Sequence, residues 1–157
     1  MKHGYLDSPL GPLLVVGDHT GLAGLYTPEH VRLPVPPGER DDAFFAPVAE
    51  QLGQYFAGER REFSLSLAPR GSTFQQAVWA ELRRIPYGRT AGYGEIAGRL
   101  GRPSAARAVG AANGRNPISI IVPCHRVVGS TGSLTGYAGG LAAKRQLLDL
   151  ERSVSAR

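Results

Sequence analysis

A single cysteine, Cys124, stands among 157 residues, so no disulfide can close within the chain. One thiol also excludes a cysteine-rich zinc site and leaves no partner to resolve a redox cycle. Long apolar runs are missing too. No stretch approaches the roughly 20 residues of a membrane span, and Met1-Lys2-His3-Gly4-Tyr5-Leu6-Asp7 lacks the apolar segment of a secretory signal. A cytosolic protein with no membrane partner is therefore expected. Ser130 to Gly140 is rich in glycine but does not end in the Gly-Lys-Ser/Thr of a phosphate-binding loop. Neither repeats nor heptads occur, and neither a cofactor nor a metal is expected.

Charge is unevenly spread. Residues 1–71 carry six Lys/Arg against nine Asp/Glu, whereas residues 72–157 carry twelve against four, which together make the net +5. A basic half joined to an acidic one fits a polyanion-binding module beside a non-binding one. A merely solvated surface fits as well, because eleven of those twelve cations are arginines, a bias that base composition alone can produce.

Patterning predicts two small units, residues 1–70 and 71–157. In the first, Gly4–Asp18 reads as two strands about a Pro/Gly turn and Leu22–Tyr26 as a third, an antiparallel meander. Residues 27–40, with Pro28, Pro34, Pro36 and Pro37, read as a loop. A helix is expected from Asp41 or Asp42 to Phe56, with Phe44, Phe45, Val48, Leu52, Tyr55 and Phe56 on one face. The alternating Phe63–Leu67 reads as a further strand.

In the second unit Ser72 suits an N-cap for a helix that Pro86 stops. Short helices are expected at Tyr93–Leu100 and at Pro103–Asn113, the latter with its proline in the first turn. Helix, tight turn and small-residue helix match a helix-turn-helix, although other short helix pairs joined by Gly-Arg-Pro look the same. The final helix is placed at Leu141 to about Arg152, with Leu141, Leu147, Leu148 and Leu150 as its apolar residues.

Chemistry concentrates in Ile120-Ile121-Val122-Pro123-Cys124-His125-Arg126-Val127-Val128-Gly129. The β-branched run reads as a buried strand that Pro123 terminates, which holds the thiol at a strand end. A neighbouring base or cation, here His125 and Arg126, favours a thiolate and makes a nucleophile. Taken alone, the same Cys124 also fits a small buried core residue.

The local wording decides between these. Pro-Cys-His-Arg-Val-Val-Gly resembles, residue for residue, the active-site motif of the 6-O-alkylguanine-DNA alkyltransferases. Similar to that family, in order and spacing, are also Gln54–Glu59, Phe74–Trp79, Ile85–Thr90, Tyr93–Ala97, Ala106–Gly110, Asn116–Ile118 and the ending from Gly136-Tyr137 to Leu147–Glu151. The resemblance implies an α/β (α+β) protein, with a ribonuclease H-like domain of antiparallel sheet plus helix followed by a winged-helix domain. It implies direct-reversal DNA repair: an irreversible, single-turnover transfer of an alkyl group to Cys124 from 6-O-alkylguanine, and less well from 4-O-alkylthymine.

The same resemblance implies that His125 takes the thiol proton through water and that Glu151 orients the imidazole, the triad logic in cysteine form. Without it, Glu151 reads as a solvated helix residue. Tyr93 matches the phenolic donor to the leaving oxygen, though packing against the recognition helix explains it equally. Asn116 matches the asparagine at the turn after that helix. Arg107 resembles the arginine that fills the space of an extruded base, and otherwise reads as a phosphate contact. Ala106, Ala108, Gly110, Ala111, Asn113 and Arg115 join it as DNA-facing positions. Pro123, Val127, Val128, Tyr137 and Ala138 are the expected base pocket, with Val127 and Val128 also explicable as core. Gly92 and Ala138-Gly139 depart from residues common in the family, which bears on pocket size. The implied partner is double-stranded DNA containing alkylated guanine, bound by a monomer, with cooperativity along DNA left open. A lesion-binding relative without transfer is the alternative, and Cys124 argues against it, because that group lacks the cysteine.

Overall fold

The computed structural model describes residues 1–129 and 136–157. Its first layer grows from Leu13-Leu14-Val15-Val16, a run buried throughout, as suits a central strand. This strand, β2 (Leu13–Asp18), lies between β1 (Lys2–Leu6) and β3 (Gly21–Tyr26), antiparallel to both. The meander expected from the sequence is present. A two-residue strand, β4 (Glu39–Arg40), then pairs parallel with β1 within the stretch read as loop. Gly38, at φ +65°, turns the chain there, and Asp41 N–H donates to His3 O at 2.8 Å to close the pairing.

Asp41 caps the next element through its side chain, but the first turn, Asp42–Phe45, is 3-10 before the α-helix α1 (Ala46–Phe56) begins. The tighter winding shifts the face. Phe45, Val48, Leu52 and Tyr55 are buried while Phe44 is left 39 % exposed. Phe63–Leu67 is not the expected strand. Only Leu67 bridges β3, opposite Leu22, and the other end of the same edge is taken by the second unit, where Leu25 N–H donates to Pro117 O at 2.8 Å and Ser119 N–H donates to Leu25 O at 3.0 Å. Shared between two segments, the β3 edge gives neither a full ladder.

Helix α2 (Thr73–Leu82) opens with a reciprocal cap between Ser72 and Gln75 and buries Val78, Trp79 and Leu82. Next come β5 (Ala91–Gly92), α3 (Tyr93–Arg99) and α4 (Ala106–Gly114). Pro103 lies in the turn before α4 and not in its first turn, because Ala105 N–H donates to Arg102 O and closes that turn separately. Trp79 Nε1 donates to Ala112 O at 2.9 Å, fixing α2 to α4. The strand β6 (Val127–Val128) pairs parallel with β5, and α5 (Leu141–Ser155) closes the chain. Leu141, one of the apolar residues of this helix, is 51 % exposed. The inner face of α5 buries Lys144 and Glu151, two charges seven residues apart, alongside Leu147, Leu148 and Val154.

One apolar core runs through both units, from Leu6 and Val15 through Tyr55 and Trp79 to Leu147. Among the described residues no helix is long and apolar enough to cross a membrane. The turn after α2 seats α5: Gly88 has φ +77°, and a Cβ placed there would run into the Ser155 side chain. Gly88→Ala combines left-handed strain with that collision. It is expected to cost about 1–3 kcal/mol in urea unfolding, and an unchanged midpoint would contradict the packing described.

Candidate active site

Asn116 builds the turn that carries Cys124. Its Oδ1 accepts from Ile118 N–H at 3.0 Å, and its Nδ2 donates to Val122 O at 2.9 Å and Ile118 O at 3.3 Å. Val122 N–H donates to Ile118 O at 3.1 Å, so the Ile-Ile-Val run is folded into a knot instead of the expected strand. Ile120 is buried at φ +73°, a conformation costing a β-branched residue on the order of 1–3 kcal/mol. The Asn116 bonds, each worth about 1 kcal/mol net, offset it. Burial was legible in the β-branched composition; the turn was not.

From Pro123 the chain enters a single 3-10 turn, Cys124–Arg126, whose side chains are all buried. Cys124 is 4 % exposed. Burial pushes its thiol up, while the Asn116 amide, the Tyr137 hydroxyl and the Lys144 ammonium favour the thiolate. Arg126, expected beside the sulfur, points elsewhere. Lys144 stands in its place, its Nζ donating to Val127 O at 2.6 Å, and burial lowers its own pKa. A charged residue on the buried stripe of α5 was the signal by which periodicity could have found it.

His125 is fully buried, and its Nε2 meets Glu151 Oε2 at 2.7 Å. A carboxylate can only accept, so Nε2 carries the proton and Nδ1 holds the free lone pair. Nδ1 is buried and has no hydrogen-bond partner among the described residues. Burial holds the imidazole below its usual range, with Arg126 and Lys144 adding to this against the pull of Glu151. Resting thiol and resting imidazole are thus both neutral.

Glu151 is the hub. Besides His125 it accepts from Arg126 Nε on Oε1 at 2.8 Å, from Arg126 Nη2 on Oε2 at 3.0 Å, and from the Tyr55 hydroxyl on Oε2 at 2.6 Å. Burial alone would raise its carboxyl; bonds and charge from His125 and Arg126 outweigh that and hold it down to about 2. Arg126 Nη1 also donates to Ile85 O at 2.8 Å, tying the turn to the end of α2. Sequence reasoning named Glu151 but missed Tyr55, which had read only as part of an apolar stripe.

The remaining expected residues divide by place. On α4, Arg107, Ala108 and Ala111 are exposed, as is Arg115 at its C-cap, while Ala106 and Gly110 are half-buried. Asn113 lies on the inner face, 5 % exposed, because the small residues around it press that face against the core. Tyr93, half-buried at the start of α3, lies beside Gly110. Pro123, Val127 and Val128 are buried next to the nucleophile in sequence, the two valines inside β6. Tyr137 is buried and Ala138 half-buried; Ala138 O accepts from Val31 N–H at 2.8 Å. Residues 130–135 of the expected glycine-rich loop lie outside the described residues.

A buried thiol beside a His–Glu pair, on the turn that follows the second of two short helices, is the arrangement of a candidate cysteine nucleophile next to a helix pair of helix-turn-helix type. The ribonuclease-like domain of 6-O-methylguanine DNA methyltransferase matches residues 1–69, and its DNA binding domain matches residues 73–153. The chain belongs to the 6-O-methylguanine DNA methyltransferase family. It is 50 % identical over 155 residues to the methylated-DNA–protein-cysteine methyltransferase of Methanosarcina acetivorans, covering 98 % of this chain and 99 % of that one. With the protein of the same name from Mycobacterium bovis it shares 51 % over 154 residues, 94 % of this chain and 90 % of that one. Among solved structures, Mycobacterium tuberculosis OGT in complex with DNA superposes with a TM-score of 0.92 at 50 % identity, covering 98 % of this chain and 94 % of that chain. A ribonuclease-like domain followed by a DNA-binding domain is therefore the architecture.

The buried pair sets an acid dependence. Glu151 drops from an ordinary 4.5 to about 2 on folding, so the unfolded chain takes up that proton first. His125 is likewise lowered from 6.5. Both contributions are complete above the unfolded values and fade as pH falls, so unfolding free energy should decrease from about pH 6.5 toward pH 2. Urea titrations across that range, with Glu151→Gln flattening the segment below pH 5, check it; a wild-type curve no steeper than the variant's would refute it.

Proposed function

We propose that this protein repairs DNA by direct reversal, moving the alkyl group of 6-O-alkylguanine onto Cys124 once per molecule. The observation that carries the reading is the buried Cys124 thiol beside an imidazole whose Nε2 is engaged by Glu151 and whose Nδ1 has no hydrogen-bond partner among the described residues. The double-stranded DNA partner is supported by family membership, by the complex of the M. tuberculosis relative with DNA and by the exposed Arg107 on α4 and Arg115 at its C-cap. We place the reaction in the cytoplasm.

The lesion oxygen sits inside the base stack, so the nucleotide is turned out, at a cost on the order of a few kcal/mol. Arg107 enters the vacated stack. The thiol proton passes through a bridging water to His125 Nδ1, and the resulting imidazolium is stabilised by Glu151. As that proton leaves, sulfur attacks the alkyl carbon and displaces the guanine oxygen: the S–C bond forms, the C–O bond breaks, and its electrons go to the guanine oxygen. Tyr93 donates to that oxygen as charge develops. The proton held by His125 passes through water to the guanine anion, leaving ordinary guanine and a neutral imidazole. The product is a thioether, with no acyl carbon for water to attack and no second thiol to exchange with, so the reaction stops after one transfer. Raising pH to form free thiolate is unnecessary, because the proton leaves only as the sulfur attacks.

Incubation with a duplex holding one methylated guanine should add one methyl group to the peptide containing Cys124, in equal moles with repaired DNA. Intact-mass spectrometry showing repeated turnover, or unmodified protein beside repaired DNA, would exclude the mechanism. Arg107→Ala should weaken transfer from duplex far more than transfer from free benzylated guanine, which needs no extrusion. Equal losses in the two assays would remove Arg107 from that role.

A further inference from the structure

We propose that Tyr55, contributed by the first domain, is a positioning residue for the transfer: its hydroxyl sets how much of the Glu151 carboxylate is available to His125. The inference rests on the alkyl-transfer reading above. Three donors converge on the single oxygen Oε2, namely Tyr55 Oη at 2.6 Å, His125 Nε2 at 2.7 Å and Arg126 Nη2 at 3.0 Å. A carboxylate offers about four lone-pair directions over two oxygens, so three donors on one oxygen compete. What Tyr55 takes, the imidazole loses.

The phenol cannot turn away. Its ring is fully buried on α1 and is held by Phe56, Phe63 and Tyr87, with centroids at 5.2, 5.5 and 6.2 Å. Nor can the direction of its bond reverse, since an ionised carboxylate has no proton to give. The competition is therefore permanent, and it depends on how α1 docks against α5. The other charged and titratable groups around the pair are Arg126 and Cys124 on the turn, Lys144 on α5, and the Tyr87 and Tyr137 phenols, with Arg61 and Arg157 beyond Tyr87. Among the described residues, Tyr55 is the one neutral donor that shares Oε2 with the base.

The sign follows. Without the hydroxyl, Oε2 presents more charge to the imidazole, the protonated base is favoured, and a higher pH is needed to keep His125 able to accept the thiol proton. Tyr55→Phe keeps the packed ring and should move the acid limb of the transfer-rate profile up by roughly half to one pH unit, the equivalent of one net hydrogen bond. Transfer to Cys124 on the acid side of the limb should slow about three- to tenfold and recover above it. A fluorotyrosine incorporated only at position 55, a more acidic and stronger donor, should move the limb down. A purely structural tyrosine would lower the melting temperature in Tyr55→Phe and leave both limbs in place.

The measurement is single-turnover methylation of Cys124 by mass spectrometry from pH 5 to 9, in unmodified protein, Tyr55→Phe and the fluorotyrosine protein. Opposite shifts of the limb in the two altered proteins support the role. Limbs coincident with that of the unmodified protein overturn it while leaving the transfer reading intact. Absence of methylation in the unmodified protein overturns the transfer reading itself. Should Tyr55→Phe fail to fold, the fluorotyrosine limb alone decides, an unshifted limb overturning the proposal.

Discussion

A carboxylate sealed from water governs this structure. Removing an ion such as Glu151 from solvent costs several kcal/mol even after relaxation, and the cost is recovered only when every lone pair is well used. Here a bidentate guanidinium, an imidazole and a phenol use them. These donors come from the turn after Pro123 and from α1, while the carboxylate rides on α5; Arg126 extends the network to the end of α2 through Ile85 O. Satisfying one buried charge thus fixes four parts of the chain relative to one another. The turn that carries Cys124 is one of them.

The first domain is more than a support. Its β3 edge receives Pro117 and Ser119, the residues that lead into the cysteine turn. Its next segment reaches both ends of the functional region: Arg32 Nη1 donates to Gly114 O at the end of α4 at 2.9 Å, and Thr27 Oγ1 donates to Gly139 O, beside Tyr137, at 2.7 Å. With Tyr55 on the carboxylate, the acidic half of the chain has contacts to the end of α4, to the segment before α5 and to Glu151, the partner of His125.

The electrostatics suit a reagent consumed by its own reaction. A standing thiolate would be exposed to oxidation and to stray electrophiles, with no second cysteine to rescue it. Burial keeps sulfur and imidazole neutral at rest, and Lys144 with the Asn116 amide stands ready to favour the anion when it forms. Pre-arranged donors of this kind lower the barrier without having to reorganise as charge develops.

Local physics was written plainly in the residue order. The Leu-Leu-Val-Val strand, the Ser72 cap, the short helices stopped by glycine and proline, and the Pro-Cys-His-Arg motif all depend on near neighbours, and they were readable as such. Misreadings fell where distant residues compete for the same groups. Phe63–Leu67 has the alternation of a strand, but Pro117 and Ser119 occupy the rest of the edge it would need. Ile120–Val122 has strand composition, but the Asn116 side chain claims its backbone groups. The amino-acid order alone thus determined most of the helices and the meander and singled out Cys124 as the candidate nucleophile, because propensity, capping and periodicity act over a few residues. Which charges were buried, which arginine left the sulfur for the carboxylate, and that a tyrosine 96 positions from Glu151 would share one of its oxygens with His125 were decided only in three dimensions, where desolvation forces each buried polar atom to find a partner wherever the fold supplies one.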